Sequence, residues 1–198
     1  MGDSHAQDFI NMAYENNYFK DFNIKTVPFH IECYLKFLNK PKTLNLKKLK
    51  ECDTKIPDDI IYADTIFFVN VWEPWISDSL NDILNNPIFL TKNLFVIGTK
   101  SFGEINIKKL IKLSNKERAD YQFKLSNKMI NLEKKIKSSL PINTYISPIE
   151  VHCNQEFNCK IFTNNNQLIS YDGSHLTKSG AKFFGEKLFE NKDLKVYK

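Results

Sequence analysis

The chemistry this sequence offers is concentrated at its two ends. Met1-Gly2-Asp3-Ser4-His5-Ala6 places a hydroxyl just after a Gly-Asp pair, at the start of an amphipathic stretch. Asp172-Gly173-Ser174-His175 places an imidazole three residues after a carboxylate. A serine hydroxyl is a poor nucleophile until a base within hydrogen-bond reach takes its proton. That base works best when a carboxylate holds it in one tautomer. Ser4, His175 and Asp172 are those three residue types. If the ends meet, the chemistry is acyl transfer through an acyl-serine. Ser4 also falls at a predicted helix N-terminus, where free backbone N–H groups favour developing negative charge. Its own N–H is therefore an oxyanion candidate. Asp3 reads as a residue that shapes the turn. His5 adjoins Ser4 and is placed to line the site, whereas His30 and His152 have no partner pattern and read as structural or surface residues.

The intervening elements have to bring the ends together. Ser4–Asn17 has apolar residues at helical spacing, with Ala6, Phe9, Ile10, Ala13 and Tyr14 near one face. Phe22–Val27 reads as a short strand ending at Pro28. His30–Leu38 reads as helical, and Leu44–Glu51 as a helix or a loop with one turn. Ala63–Trp72 and Asn93–Thr99 are nearly continuous apolar runs, the pattern of strands buried on both faces of a parallel sheet. Ser77–Leu84 between them reads as a short helix. Ser114–Leu140 is predicted as one long charged helix opened by a Ser114/Glu117 capping box. Pro141–Ser147 reads as a strand, Ile161–Ser170 as a hairpin and Leu176–Glu190 as the last helix. Strands alternating with helices predict an α/β fold with a mostly parallel sheet, whose ligands sit beyond the carboxyl ends of the strands.

A chain of 198 residues suits one domain spanning residues 1–198, and neither a linker nor a repeat divides it. With 42% hydrophobic residues and only six glycines, the composition is that of a globular protein rather than a disordered one. The net charge of +5 comes from lysines spread over amphipathic stretches, without an Arg-rich arm or a nucleic-acid motif. Nucleic acid is therefore not an expected partner. No apolar run approaches the roughly 20 residues that span a bilayer, and no signal peptide follows Met1. Cys33, Cys52, Cys153 and Cys159 lack metal-site spacing, so neither a metal nor a cofactor is expected. They read either as four reduced core thiols or, by spacing, as two disulfides, Cys33–Cys52 and Cys153–Cys159.

With these blocks in this order, the sequence resembles the SGNH/GDSL hydrolase superfamily. Gly2-Asp3-Ser4 matches its first block and Asp172-Gly173-Ser174-His175 its last. More narrowly, it resembles the SGNH domain associated with membrane-bound acyltransferases that O-acetylate cell-surface polysaccharides. That narrower likeness rests on Gly2–Ala6, on Val71-Trp72, and on Cys153 and Cys159 ahead of Tyr171–Ala181. The resemblance implies a flavodoxin-like three-layer α/β/α sandwich. A strand normally precedes the nucleophile turn in that family, so the expectation is either that it is missing from this chain or that the chain is part of a longer, membrane-attached protein whose apolar strand lies upstream. The implied activity is that of a serine esterase or O-acyltransferase acting on acetylated carbohydrate, with Ser4, His175 and Asp172 in the roles above. A membrane acyltransferase domain would supply the acyl group. Paired cysteines, and with them a periplasmic or cell-surface location, are implied as well; reduced cysteines would mean a cytoplasmic one.

The family's middle blocks supply a Gly and an Asn to the oxyanion hole. No clear Gly block lies between residues 20 and 60, and Asn70-Val71-Trp72-Glu73 replaces the Gly-x-Asn-Asp block. Asn70 is then either the second donor candidate or a polar strand-end residue, and Trp72 and Trp75 suit stacking on a sugar face and core packing about equally. A catalytically weak or inactive carbohydrate-binding domain on the same fold is the alternative.

Overall fold

In the computed structural model, residues 1–28 and 58–198 are described. The elements are α1 (Ser4–Glu15), α2 (Asp58–Ile61), β1 (Thr65–Val69), α3 (Pro74–Leu84), β2 (Asn93–Ile97), α4 (Ile107–Leu110), α5 (Asn115–Asp120), β3 (Gln122–Lys124), α6 (Asn127–Ser139), β4 (Tyr145–Ile146), α7 (Ile149–His152), β5 (Asn158–Lys160) and α8 (Lys178–Leu188), followed by a 3-10 turn at Lys195–Tyr197.

Strands β1, β2 and β4 form a parallel sheet in that order. Successive side chains of a strand point to opposite faces, and both faces here are apolar. Ile66 and Phe68 of β1, with Leu94 and Val96 of β2, join a core that includes Ile76, Leu80 and Ile83 of α3 and Leu132 and Ile136 of α6. Phe67, Val69, Phe95 and Ile97 join the opposite core, with Phe9, Met12 and Ala13 of α1 and Ala181, Phe184 and Leu188 of α8. A sheet covered by helices on both faces is the α/β/α layering expected from the sequence, and it explains why the β1 and β2 segments are almost unbroken apolar runs.

The edge beside β1 is filled in an unusual way. The Met1 carbonyl accepts from Val69 N at 2.9 Å, Asp3 N donates to the Val69 carbonyl, and Gly2 forms parallel bridges to both Val69 and Pro28. Gly2 sits so close to the Val69 carbonyl that a β-carbon would collide with it. Met1, Gly2 and Asp3 thus hold the turn that precedes Ser4 against the sheet.

Several local expectations are corrected. The strand expected over Phe22–Val27 does not form. Val27 lends only its carbonyl, to Gly2 N at 3.1 Å, and Pro28, which has no N–H, makes an isolated bridge. The single long helix over Ser114–Leu140 is three elements. The Ser114/Glu117 capping box does form. After α5, however, Tyr121 turns extended, β3 pairs antiparallel with β5, and Ser126 caps a new helix by accepting from Met129 N. Residues 141–147 contribute only the two-residue strand β4. The hairpin of Ile161–Ser170 closes through a Phe162–Leu168 bridge. The Cys153–Cys159 disulfide is present, joining the end of α7 to β5. The Cys33–Cys52 pairing, His30 and the two segments at 30–38 and 44–51 lie outside the described residues. Among the described residues, no helix is long and apolar enough to cross a membrane.

Helices α1 and α8 pack closely because Gly185 of α8 faces the Met12 carbonyl and the Asn16 amide. Asn16 Nδ2 donates to the carbonyls of both Met12 (2.8 Å) and Lys182 (3.1 Å). Gly185→Ala should destabilise the domain by about 1–3 kcal/mol, the usual cost of overpacking a tight core. Urea unfolding would measure this, and an unchanged midpoint would mean that the helices can separate at little cost.

Candidate active site

Asp3 is the N-cap of α1, and its carboxylate serves two elements at once. Oδ1 accepts from His5 N at 2.8 Å, and Oδ2 accepts from Val71 N, beyond β1, at 2.9 Å. The cap fixes both the start of the helix and its place at the carboxyl end of the sheet. Ser4 is the first residue of α1 and is exposed. Its amide lies in the first turn, where N–H groups have no intrahelical acceptor.

The other end of the chain approaches as a tight loop. Gly173 has φ +87°, in the left-handed region that glycine enters without strain, and it packs against the Gly103 carbonyl so closely that a β-carbon would not fit. Phe102 N donates to the Gly173 carbonyl at 3.0 Å, tying the loop to the segment after β2. Asp172 Oδ1 accepts from Ser174 N and His175 N, each at 2.8 Å, and from Ser170 Oγ at 3.3 Å. Asp172 Oδ2 lies 2.6 Å from His175 Nδ1, and His175 Nε2 lies 2.9 Å from Ser4 Oγ. A carboxylate can only accept, so Nδ1 of the neutral ring carries the proton. Nε2 is then left to accept from the Ser4 hydroxyl. The backbone amide of His175, followed by its ring and the Ser174 amide, holds the Asp172 carboxyl well below the usual carboxylate range. The side chains of His175 and Asp172 are about half exposed, at 47% and 54%.

The other sequence candidates divide. Asn70, directly after β1, is 6% exposed, and its buried Nδ2 has no hydrogen-bond partner among the described residues. An unpaired buried donor costs about 1–3 kcal/mol, so it is a donor in want of an acceptor. Trp72 is not available to a ligand. It is 2% exposed, with Nε1 donating to the Ile97 carbonyl at 2.7 Å and its amide to Thr99 Oγ1 at 2.8 Å. The indole anchors the end of β1 to β2, which excludes it from sugar stacking. Trp75, in the first turn of α3, is 37% exposed. His5 is buried, and its ring stands edge-on to His175 with centroids 5.9 Å apart. Burial, reinforced by the Lys100 cation, pushes the His5 imidazole down to about 4, so it is neutral near pH 7. His152 lies in the core between backbone carbonyls of Pro148 and Ser101, each at 3.1 Å.

Sequence reasoning missed two residues beneath this site. Asp8 and Lys100 form an ion pair of 2.7 Å with both side chains almost fully buried. Asp8 Oδ2 also accepts from Leu176 N at 3.2 Å, next to His175. The available signal was spacing: Asp8 follows Ser4 by four residues, which puts both on one face of α1.

A family model described as "SGNH domain (fused to AT3 domains)" matches residues 1–189. No curated protein and no solved structure matches the chain.

The depressed Asp172 carboxyl gives the loop a defined acid response. A carboxyl lowered on folding contributes stability that is present above its unfolded value near 3.9 and lost as pH falls towards the folded value. The Asp172 carboxyl carbon resonance should therefore show its own protonation step only below about pH 4. A carboxyl protonation step centred clearly above that range would contradict the hydrogen-bonded carboxylate.

Proposed function

From the premise that the chain belongs to the SGNH domain family, whose fold is of the hydrolase and acyltransferase type, we propose that it is a serine esterase or O-acyltransferase. Its substrates are acyl esters of carbohydrate, acetyl esters foremost. The observation that carries this reading is the unbroken Ser4–His175–Asp172 hydrogen-bond chain, at 2.9 and 2.6 Å.

In the proposed reaction, Ser4 Oγ attacks the acyl carbonyl carbon while His175 Nε2 takes the hydroxyl proton. Asp172 keeps the ring in the tautomer that allows this and stabilises the imidazolium that forms. The carbonyl electrons move onto oxygen, facing the Ser4 amide and Asn70 Nδ2 as donors. Collapse breaks the ester C–O bond, and His175 returns the proton to the leaving alcohol. The acyl-serine is then attacked by water or by a sugar hydroxyl, whose proton passes to His175 and back to Ser4. Neutral His5 adds no competing positive charge beside the imidazolium. Trp75 offers a half-open aromatic face to a sugar ring. An acyltransferase-3 membrane domain, the fusion partner in the family description, would supply the acyl group. The disulfide supports an extracytoplasmic setting.

Ser4→Ala should reduce p-nitrophenyl acetate turnover by at least about a thousand-fold. A fluorophosphonate should label the wild-type chain on the peptide containing Ser4. Glycan binding without labelling would favour a non-catalytic carbohydrate-binding domain instead. Asn70→Ala should lower kcat on the order of a hundred-fold while leaving KM nearly constant, as the loss of one oxyanion donor does. An unaltered kcat would remove Asn70 from the oxyanion hole.

A further inference from the structure

Asp8 is tied to both partners of the proposed proton transfer. It sits one helical turn after Ser4 on α1, so the two side chains share a face. Its Oδ2 accepts from Leu176 N at 3.2 Å, and Leu176 directly follows His175. The nucleophile and the base are thus joined twice in the same register, Ser4 to His175 through side chains and Asp8 to the next residue through backbone. The same carboxylate oxygen holds Lys100 Nζ at 2.7 Å. Asp8 and Lys100 are 5% and 4% exposed. Lys100 stands three residues beyond β2, in the segment that also carries Phe102, whose amide binds the Gly173 carbonyl. One buried carboxylate therefore ties together the helix with the hydroxyl, the loop with the imidazole and the end of the central strand.

We propose that Asp8 is a positioning residue that sets the distance from His175 to Ser4 through the Leu176 amide, and that Lys100 holds its carboxylate in place. This rests on the acyl-transfer reading above. A buried pair contributes little to stability that shape-matched apolar side chains could not. A misplacement of about 1 Å at reacting atoms can, however, cost on the order of a hundred-fold in rate. The function of the pair is therefore geometric.

The test compares two double variants that both lack the buried charges. Asp8→Asn/Lys100→Met keeps an acceptor for Leu176 N, whereas Asp8→Leu/Lys100→Met removes it. Urea unfolding of each establishes that both are folded. With p-nitrophenyl acetate, the Leu/Met variant should lose at least about tenfold in kcat with KM within about twofold, and the Asn/Met variant should recover most of that loss. The downfield Nδ1 proton resonance of His175 should persist in the Asn/Met variant and broaden or move in the Leu/Met variant. Equal kcat and equal His175 resonances in two folded variants would overturn the proposal. A wild-type turnover that survives Ser4→Ala would instead overturn the acyl-transfer reading, and the His175 resonance would still decide the role of Asp8.

Discussion

The packing of α1 against α8 joins two segments that are 166 residues apart where Asn16 meets the Lys182 carbonyl. The contact closes only because Gly185 has no side chain. Beneath it, an aromatic cluster of Phe9, Phe19, Phe67 and Phe189 fills the space down to the sheet, with ring centroids 5.1 to 6.0 Å apart. The helix pair carries most of the buried contact that brings together a hydroxyl and an imidazole 171 residues apart. The hydrogen bonds at the surface are individually modest, at about 1 kcal/mol each. It is the burial below that makes their geometry reproducible.

The two ends of the chain were legible because their chemistry depends on residue type, and hydroxyl, imidazole and carboxylate are named outright by the sequence. The sheet was legible at β1 and β2 because burial on both faces leaves an unbroken apolar run. It was less so at β4, where two residues, Tyr145 and Ile146, are all that pairs. The break within 114–140 was hidden by its own composition. Lysines and glutamates suit a solvated helix as well as the exposed β3, and a second N-cap serine at Ser126 is a weak mark in a polar stretch. Trp72 was undecided in the sequence because an indole at a strand end suits ligand stacking and core packing equally. Only its hydrogen bond to the Ile97 carbonyl decides between them. Asp8 and Lys100 were missed for the opposite reason, since charged residues in an amphipathic helix and a loop are ordinarily solvated.

Two buried polar features distinguish the floor of the site from an ordinary core. The Asp8–Lys100 pair is self-neutralising, and removing either partner alone from such a pair typically costs about 3–5 kcal/mol. Asn70 Nδ2, like His5 Nδ1, has no hydrogen-bond partner among the described residues. The ion pair fits a rigid frame, and on the acyl-transfer reading proposed above the Asn70 amide is the donor that a developing oxyanion would satisfy.

The half-exposed flanks of His175 and Asp172 have a consequence for selectivity. A hydroxyl at the bottom of a narrow shaft filters its substrates by girth. Ser4, at the outer end of its helix, imposes no such filter from the described side. A long polymer could lie across it and present one ester at a time, and so could solvent. On the acyl-transfer reading proposed above, any preference for a sugar hydroxyl over water comes from how long the acceptor chain stays on the surface around Ser4, and so from the whole footprint rather than from Ser4, His175 and Asp172 alone.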